Sequence, residues 1–188
     1  MARPKYAPDD IRALDKLESA FWDMLAEMSY PRISVRALVA QCGLNKNTFY
    51  YHFTDMDELA TYCIDRALPI ELGNLAFAGS SVEDFTRALD SPVVRDKLSR
   101  TVILLSENGS ALHALAVQRL VRAWQVILPP APDIATEEQA LQLKFAAGGL
   151  VATLAGREMT DYAKTIAHLR KSPAVIVFVD SIGNEYRE

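Results

Sequence analysis

The sequence predicts an all-α protein, with a small N-terminal three-helix unit followed by a larger helical bundle. Three observations predict it. Apolar residues recur at three- and four-residue steps through most of the 188 residues. Ser, Asn, Gly and Pro stand between the periodic runs, at positions that start or stop helices. No alternation of apolar and polar residues persists, although the β-branched run within Ala174–Val179 leaves a strand open there.

The first helix carries Ile11, Leu14, Leu17, Phe21, Leu25 and Met28 on one stripe. Tyr30-Pro31 ends it, because proline disfavours a helical residue before it. Ser34 is a good N-cap for a short second helix with Val35, Leu38 and Val39 inward. Cys42-Gly43 closes that helix, Gly43 supplying the left-handed residue. Asn45 caps a third helix in which Phe49 and Phe53 lie one turn apart. Thr54 is read as the cap of a fourth, Asp55–Leu68, with Asp55, Asp57 and Glu58 opposite its positive dipole end. Gly73, Gly79, Ser80 and Ser81 then punctuate a looser stretch. Longer helices follow over Ser91–Ser106, Ser110–Leu128, Thr136–Glu158, Asp161–Arg170 and Ala174–Asn184, with Pro129, Pro130 and Pro132 stiffening one loop. The division expected is residues 1–54 and residues 55–188.

Composition excludes several classes. Half the residues are apolar and 23% are charged, which is globular and not disordered. Two cysteines, Cys42 and Cys63, exclude a disulfide-rich scaffold. The first ten residues contain no apolar h-region, so no signal peptide is expected. The longest apolar stretch, Ala146–Ala155, is about half of the roughly 20 residues that span a bilayer. A soluble, cytoplasmic protein is expected. A net charge of −4 argues against a general nucleic-acid coat. The charge is uneven: seven basic residues face six acidic ones up to Thr54, a net of +1, against −5 for the rest.

The third helix divides its residues unusually. Phe49 and Phe53 point one way, while Lys46, Asn47, Thr48, Tyr51 and His52 occupy much of the remainder. These are hydrogen-bonding side chains with no acid among them. DNA demands such a surface, since phosphates repel carboxylates and base edges need donors and acceptors. Two short helices meeting at a glycine turn form a helix-turn-helix, and Lys46, Asn47 and Thr48 occupy the turn that enters a major groove in such motifs.

Ser34–Phe53 resembles the DNA-binding domain of the TetR family of bacterial transcriptional regulators. That family's recognition helix runs Ser-Lys-Gly-Thr-Leu-Tyr-x-His-Phe, and Asn45-Lys46-Asn47-Thr48-Phe49-Tyr50-Tyr51-His52-Phe53 follows it. Val35–Leu44 is similar to its second helix and turn, and the likeness covers roughly residues 10–66. The resemblance implies a homodimer on a palindromic double-stranded operator, released by a small-molecule effector that binds the C-terminal domain. It further implies base or groove contacts from Arg36, Lys46, Asn47, Thr48 and Tyr51, phosphate contacts from Tyr50 and His52, and a loose basic arm at Arg3 and Lys5. Two departures stand out. Asn47 replaces a small residue. Met56 stands where the family places a phosphate-binding lysine, leaving helix N-terminal amides to hold that phosphate. The departures motivate an alternative, a degenerate helix-turn-helix protein acting through protein contacts.

The other chemically notable residues read as structure. Cys42 and Cys63 suit small buried positions. His113 and His168 form no metal-ligand spacing, so no metal or cofactor is expected. Asp and Glu are scattered as on solvated faces. Nucleophile, phosphate-loop and metalloprotease motifs are missing, so an enzyme is not expected. Gly148, Gly149 and Gly156 within an apolar helix suggest close approach of another helix, read as a subunit interface. Trp124, Phe145, Tyr162 and His113 are candidates for lining an effector cavity.

Overall fold

The computed structural model describes residues 8–68, 87–88, 90–127 and 136–171. Arg3 and Lys5, the stretch from Gly73 to Ser81, the three-proline loop and the helix expected at Ala174–Asn184 lie outside them. All described regular elements are helices: α1 Pro8–Glu27, a 3-10 turn Tyr30–Arg32, α2 Val35–Gln41, α3 Lys46–His52, α4 Met56–Ala67, α5 Pro92–Leu104, a second 3-10 turn Ser110–Leu112, α6 His113–Ile127, α7 Thr136–Leu154 and α8 Met159–Lys171.

Helix α1 organises the N-terminal end because helices cover it on several sides. Leu17, Phe21 and Leu25 are fully buried, and so nearly are Ala20, Trp22 and Met24 off the expected stripe. Contacts with α2, α3, α4 and α5 account for this breadth. Ile11 departs from expectation: it is 50% exposed. Glu18 departs in the other direction, an acid only 3% exposed where a solvated face was expected.

The short helices are set by their ends. Ser34 Oγ accepts the Ala37 N–H at 3.3 Å and Asn45 Oδ1 accepts that of Thr48 at 2.9 Å. Gly43 has φ of +68°, the left-handed turn that lets α2 stop and α3 start at an angle. The cap of α4 is Asp55 and not Thr54: Asp55 Oδ1 accepts the Glu58 N–H at 2.8 Å, and Glu58 reaches back to the Thr54 N–H at 2.6 Å. The reciprocal carboxylate pair outcompetes a single hydroxyl for the helix start.

One apolar core runs from Leu14 to Tyr162, without a break between α3 and α4. A smaller cluster of Trp124, Leu143 and Ala147 lies between α6 and α7. Gly156 is not inside α7. It follows the helix with φ of +71° and donates its N–H to Leu105 O at 2.9 Å. Cys63 is fully buried, and burial pushes its thiol well above the usual range, so it packs as a small apolar group. No helix among the described residues is long and apolar enough to cross a membrane.

Tyr162 gives the first test of this packing. It is 1% exposed and its hydroxyl has no hydrogen-bond partner. Burial pushes its phenol up from 10.0 to about 12. The unfolded chain therefore loses this proton first as pH climbs past 10, and the folded state is progressively disfavoured up to about 12. Tyr162→Phe removes an unpaired buried hydroxyl. It is expected to stabilise the fold by about 1 kcal/mol and to flatten the alkaline fall, both readable by thermal melts across pH.

Candidate nucleic-acid interface

Helix α3 has seven residues, too few to be stable alone in water. Two phenylalanines fasten it to the body: Phe49 is 0% and Phe53 5% exposed, with ring centroids 5.8 Å apart. Fixing those two rings inward leaves the opposite face outward. Lys46, Asn47, Tyr50 and Tyr51 are exposed, the two tyrosines by 57% and 73%, while Thr48 and His52 are half-buried.

The exposed rings are braced. Tyr50 stands edge-on to Phe49 at 5.3 Å, and Tyr51 edge-on to His52 at 4.9 Å. Thr48 donates its hydroxyl to the capping Asn45 oxygen at 3.2 Å, so its own oxygen remains as an acceptor. Arg36 is exposed near the start of α2, which packs directly on α3. All seven predicted residues thus lie on the two consecutive short helices. No carboxylate occurs on either helix, and Lys46, Arg36 and the donors of Asn47, Tyr50 and Tyr51 give the surface its hydrogen-bonding character.

The next turn is different. Asp55, Asp57 and Glu58 are exposed at the start of α4, and Met56 is half-buried against the core. The Thr54 and Glu58 N–H groups are already taken by Glu58 and Asp55. The start of α4 thus places its own carboxylates on two of the amides around it. Asp57 also accepts a short hydrogen bond from the Tyr30 hydroxyl. Burial, and then that bond, push the Tyr30 phenol far above its usual range. The same Tyr30 donates its N–H to Asn108 O at 3.0 Å, and Asn108 Nδ2 donates to Ala26 O at 3.2 Å. The loop after α5 is thereby stitched to the end of α1 beside the helix-turn-helix.

Residues 19–63 match the family model described as bacterial regulatory proteins, tetR family. The N-terminal helices are thus similar to those of the TetR family. The TetR match runs through the second half of α1, all of α2 and α3, and two thirds of α4, so it includes every predicted contact residue. A relative from Haemophilus influenzae, an uncharacterized HTH-type transcriptional regulator, is 37% identical over 51 residues. That match spans 27% of this chain and 25% of the relative's length. The TetR likeness therefore concerns the N-terminal module, and α5 to α8 lie beyond the family match.

Two features escaped sequence reasoning. Glu18 lies one place after Leu17 and looks like any acid on an amphipathic helix, yet arginines from two other helices meet it. Phe145, a candidate for an effector cavity, is 82% exposed on α7. Helix α7 spreads its apolar residues around its circumference, so it gives little periodicity by which its outer face could be chosen.

Proposed function

We propose that this chain is a DNA-binding transcriptional regulator, a cytoplasmic repressor released from its operator by a small-molecule effector. The observation that carries this reading is the division of α3, with both phenylalanines buried and an acid-free donor and acceptor face outside. In the proposed complex α3 lies in a major groove. Lys46, Asn47, Thr48 and Tyr51, with Arg36 from α2, meet base edges or the groove, while Tyr50 and His52 hold phosphates. Residues 1–54 form the DNA-binding part and residues 55–188 the effector-binding and dimerising part, a division by role across a continuous core.

The functional unit is a homodimer on a palindrome. Leu141 and Phe145 on α7 are 63% and 82% exposed, and nothing within 4 Å would meet a Cβ at Gly148 or Gly149 on the same face. A second copy covers this stripe. Phe145→Glu is expected to leave the helices intact and to halve the sedimentation mass. A dimer that survives both Phe145→Glu and Leu141→Glu contradicts this interface.

A second reading, action through protein contacts alone, draws on the acids and the self-capped start of α4. A fluorescence anisotropy titration on DNA upstream of the gene separates the two. Specific binding that weakens with salt, at a log–log slope of about −0.9 per phosphate contact, supports the regulator. Absence of salt-sensitive binding to every fragment supports the alternative.

A further inference from the structure

Among the described residues, Glu18 is the only carboxylate in the buried class. One of its oxygens accepts from Arg66 Nε of α4 at 2.7 Å, and the other accepts from Arg100 Nη1 of α5. Each arginine has a further acidic neighbour: Asp15 lies 3.9 Å from Arg66, and Asp96 lies 3.2 Å from Arg100. A single side chain of α1 thus holds two helices that are distant in sequence.

Stability does not explain such a site. Apolar side chains of similar size commonly serve as well as a buried ionic triad, because desolvation offsets most of the Coulomb gain. Direction is what the triad adds. The surrounding contacts of Leu17, Phe21, Leu59 and Ala60 are apolar, and such contacts tolerate a slide or a small rotation. Two charge-assisted bonds to one carboxylate do not, since they fix both distance and angle. Helices α2 and α3 pack on α1. The angle of α1 against α4 and α5 is therefore also the angle at which α3 is presented.

We propose that Glu18 is a positioning residue for DNA recognition: held by Arg66 and Arg100, it sets the pose of the helix-turn-helix and hence the half-site spacing that the dimer accepts. This rests on the DNA-binding reading above and adds to it a determinant of spacing outside the DNA-contacting face.

The test uses the full-length protein. Palindromic duplexes are first selected by the wild type from a random pool. Affinity is then measured for the best duplex and for versions with one or two base pairs inserted between half-sites. Glu18→Gln keeps the shape and removes the charge. The triple replacement Glu18→Leu, Arg66→Met and Arg100→Met removes the triad while keeping an apolar, foldable core. Circular dichroism checks the helices of both. The wild type is expected to reject the inserted duplexes, and both variants to reject them about tenfold less well, a change of the size usual for coupling between sites. Folded variants that keep the wild-type spacing preference, whatever their melting temperature, overturn the proposal. A wild type that enriches no duplex overturns the DNA-binding reading itself, a failure distinct from the first.

Discussion

Phe49→Ala is expected to destabilise the protein by about 3–5 kcal/mol and to abolish DNA binding. The ring is 0% exposed and touches both Phe53 and Tyr50. Its removal leaves a cavity beneath a seven-residue helix capped by Asn45 at one end and Phe53 at the other. A typical domain has only about 5–15 kcal/mol in all. Native-state hydrogen exchange is the suitable measurement, because it separates local from global opening. Amides of α2 and α3 are expected to lose protection first, with α6 and α7 affected less. Wild-type protection throughout, with undiminished duplex affinity, contradicts the role given to Phe49.

The second large effect leaves the fold alone. Lys46→Ala combined with Tyr50→Ala removes two exposed side chains, and surface changes of this kind stay within about 0.5 kcal/mol of wild-type stability. On DNA the loss is much larger. A good contact to a base edge contributes about 1–3 kcal/mol of discrimination, and the proposed dimer would repeat each contact. The double substitution is therefore expected to cost roughly 2–6 kcal/mol, about thirty- to twenty-thousand-fold in affinity. Losing Tyr50, assigned to a phosphate, should weaken binding to all sequences alike, whereas losing Lys46 should relax preference at one base position. Anisotropy against matched and mismatched duplexes reads both. A folded double variant with wild-type affinity removes α3 from the interface.

Much of the N-terminal architecture is legible from local chemistry. Ser34, Gly43 and Asn45 each act over three residues or fewer, so their capping and turning roles follow from identity and neighbours alone. Phe49 and Phe53 are separated from the polar residues of α3 by helical period, and burial follows that period. Adjacent candidates blurred the start of α4, where Thr54 and Asp55 both suit a cap and the Glu58 carboxylate decides between them. Gly156 was hidden because apolar residues continue up to it, so composition marks no stop at Leu154. Glu18 was beyond local reasoning altogether. Its partners stand 48 and 82 positions away, and no spacing along one helix reveals which carboxylate will meet them.

Within the candidate site the same limit applies to electrostatics. The sequence places Asp55, Asp57 and Glu58 after α3, yet only geometry reveals that two of them occupy local amides and that Asp57 binds the Tyr30 hydroxyl. In the proposed complex, Arg36 and the α3 face would therefore carry the binding, beside an acidic start of α4.

Hydroxyl-radical footprinting of the wild-type protein on its selected duplex is the most direct measurement of whether two α3 helices read one DNA face together. Two protected patches centred about one helical turn apart, roughly 34 Å, on the same side of the duplex are expected. A single patch, patches on opposite sides, or no protection at saturating protein would contradict it.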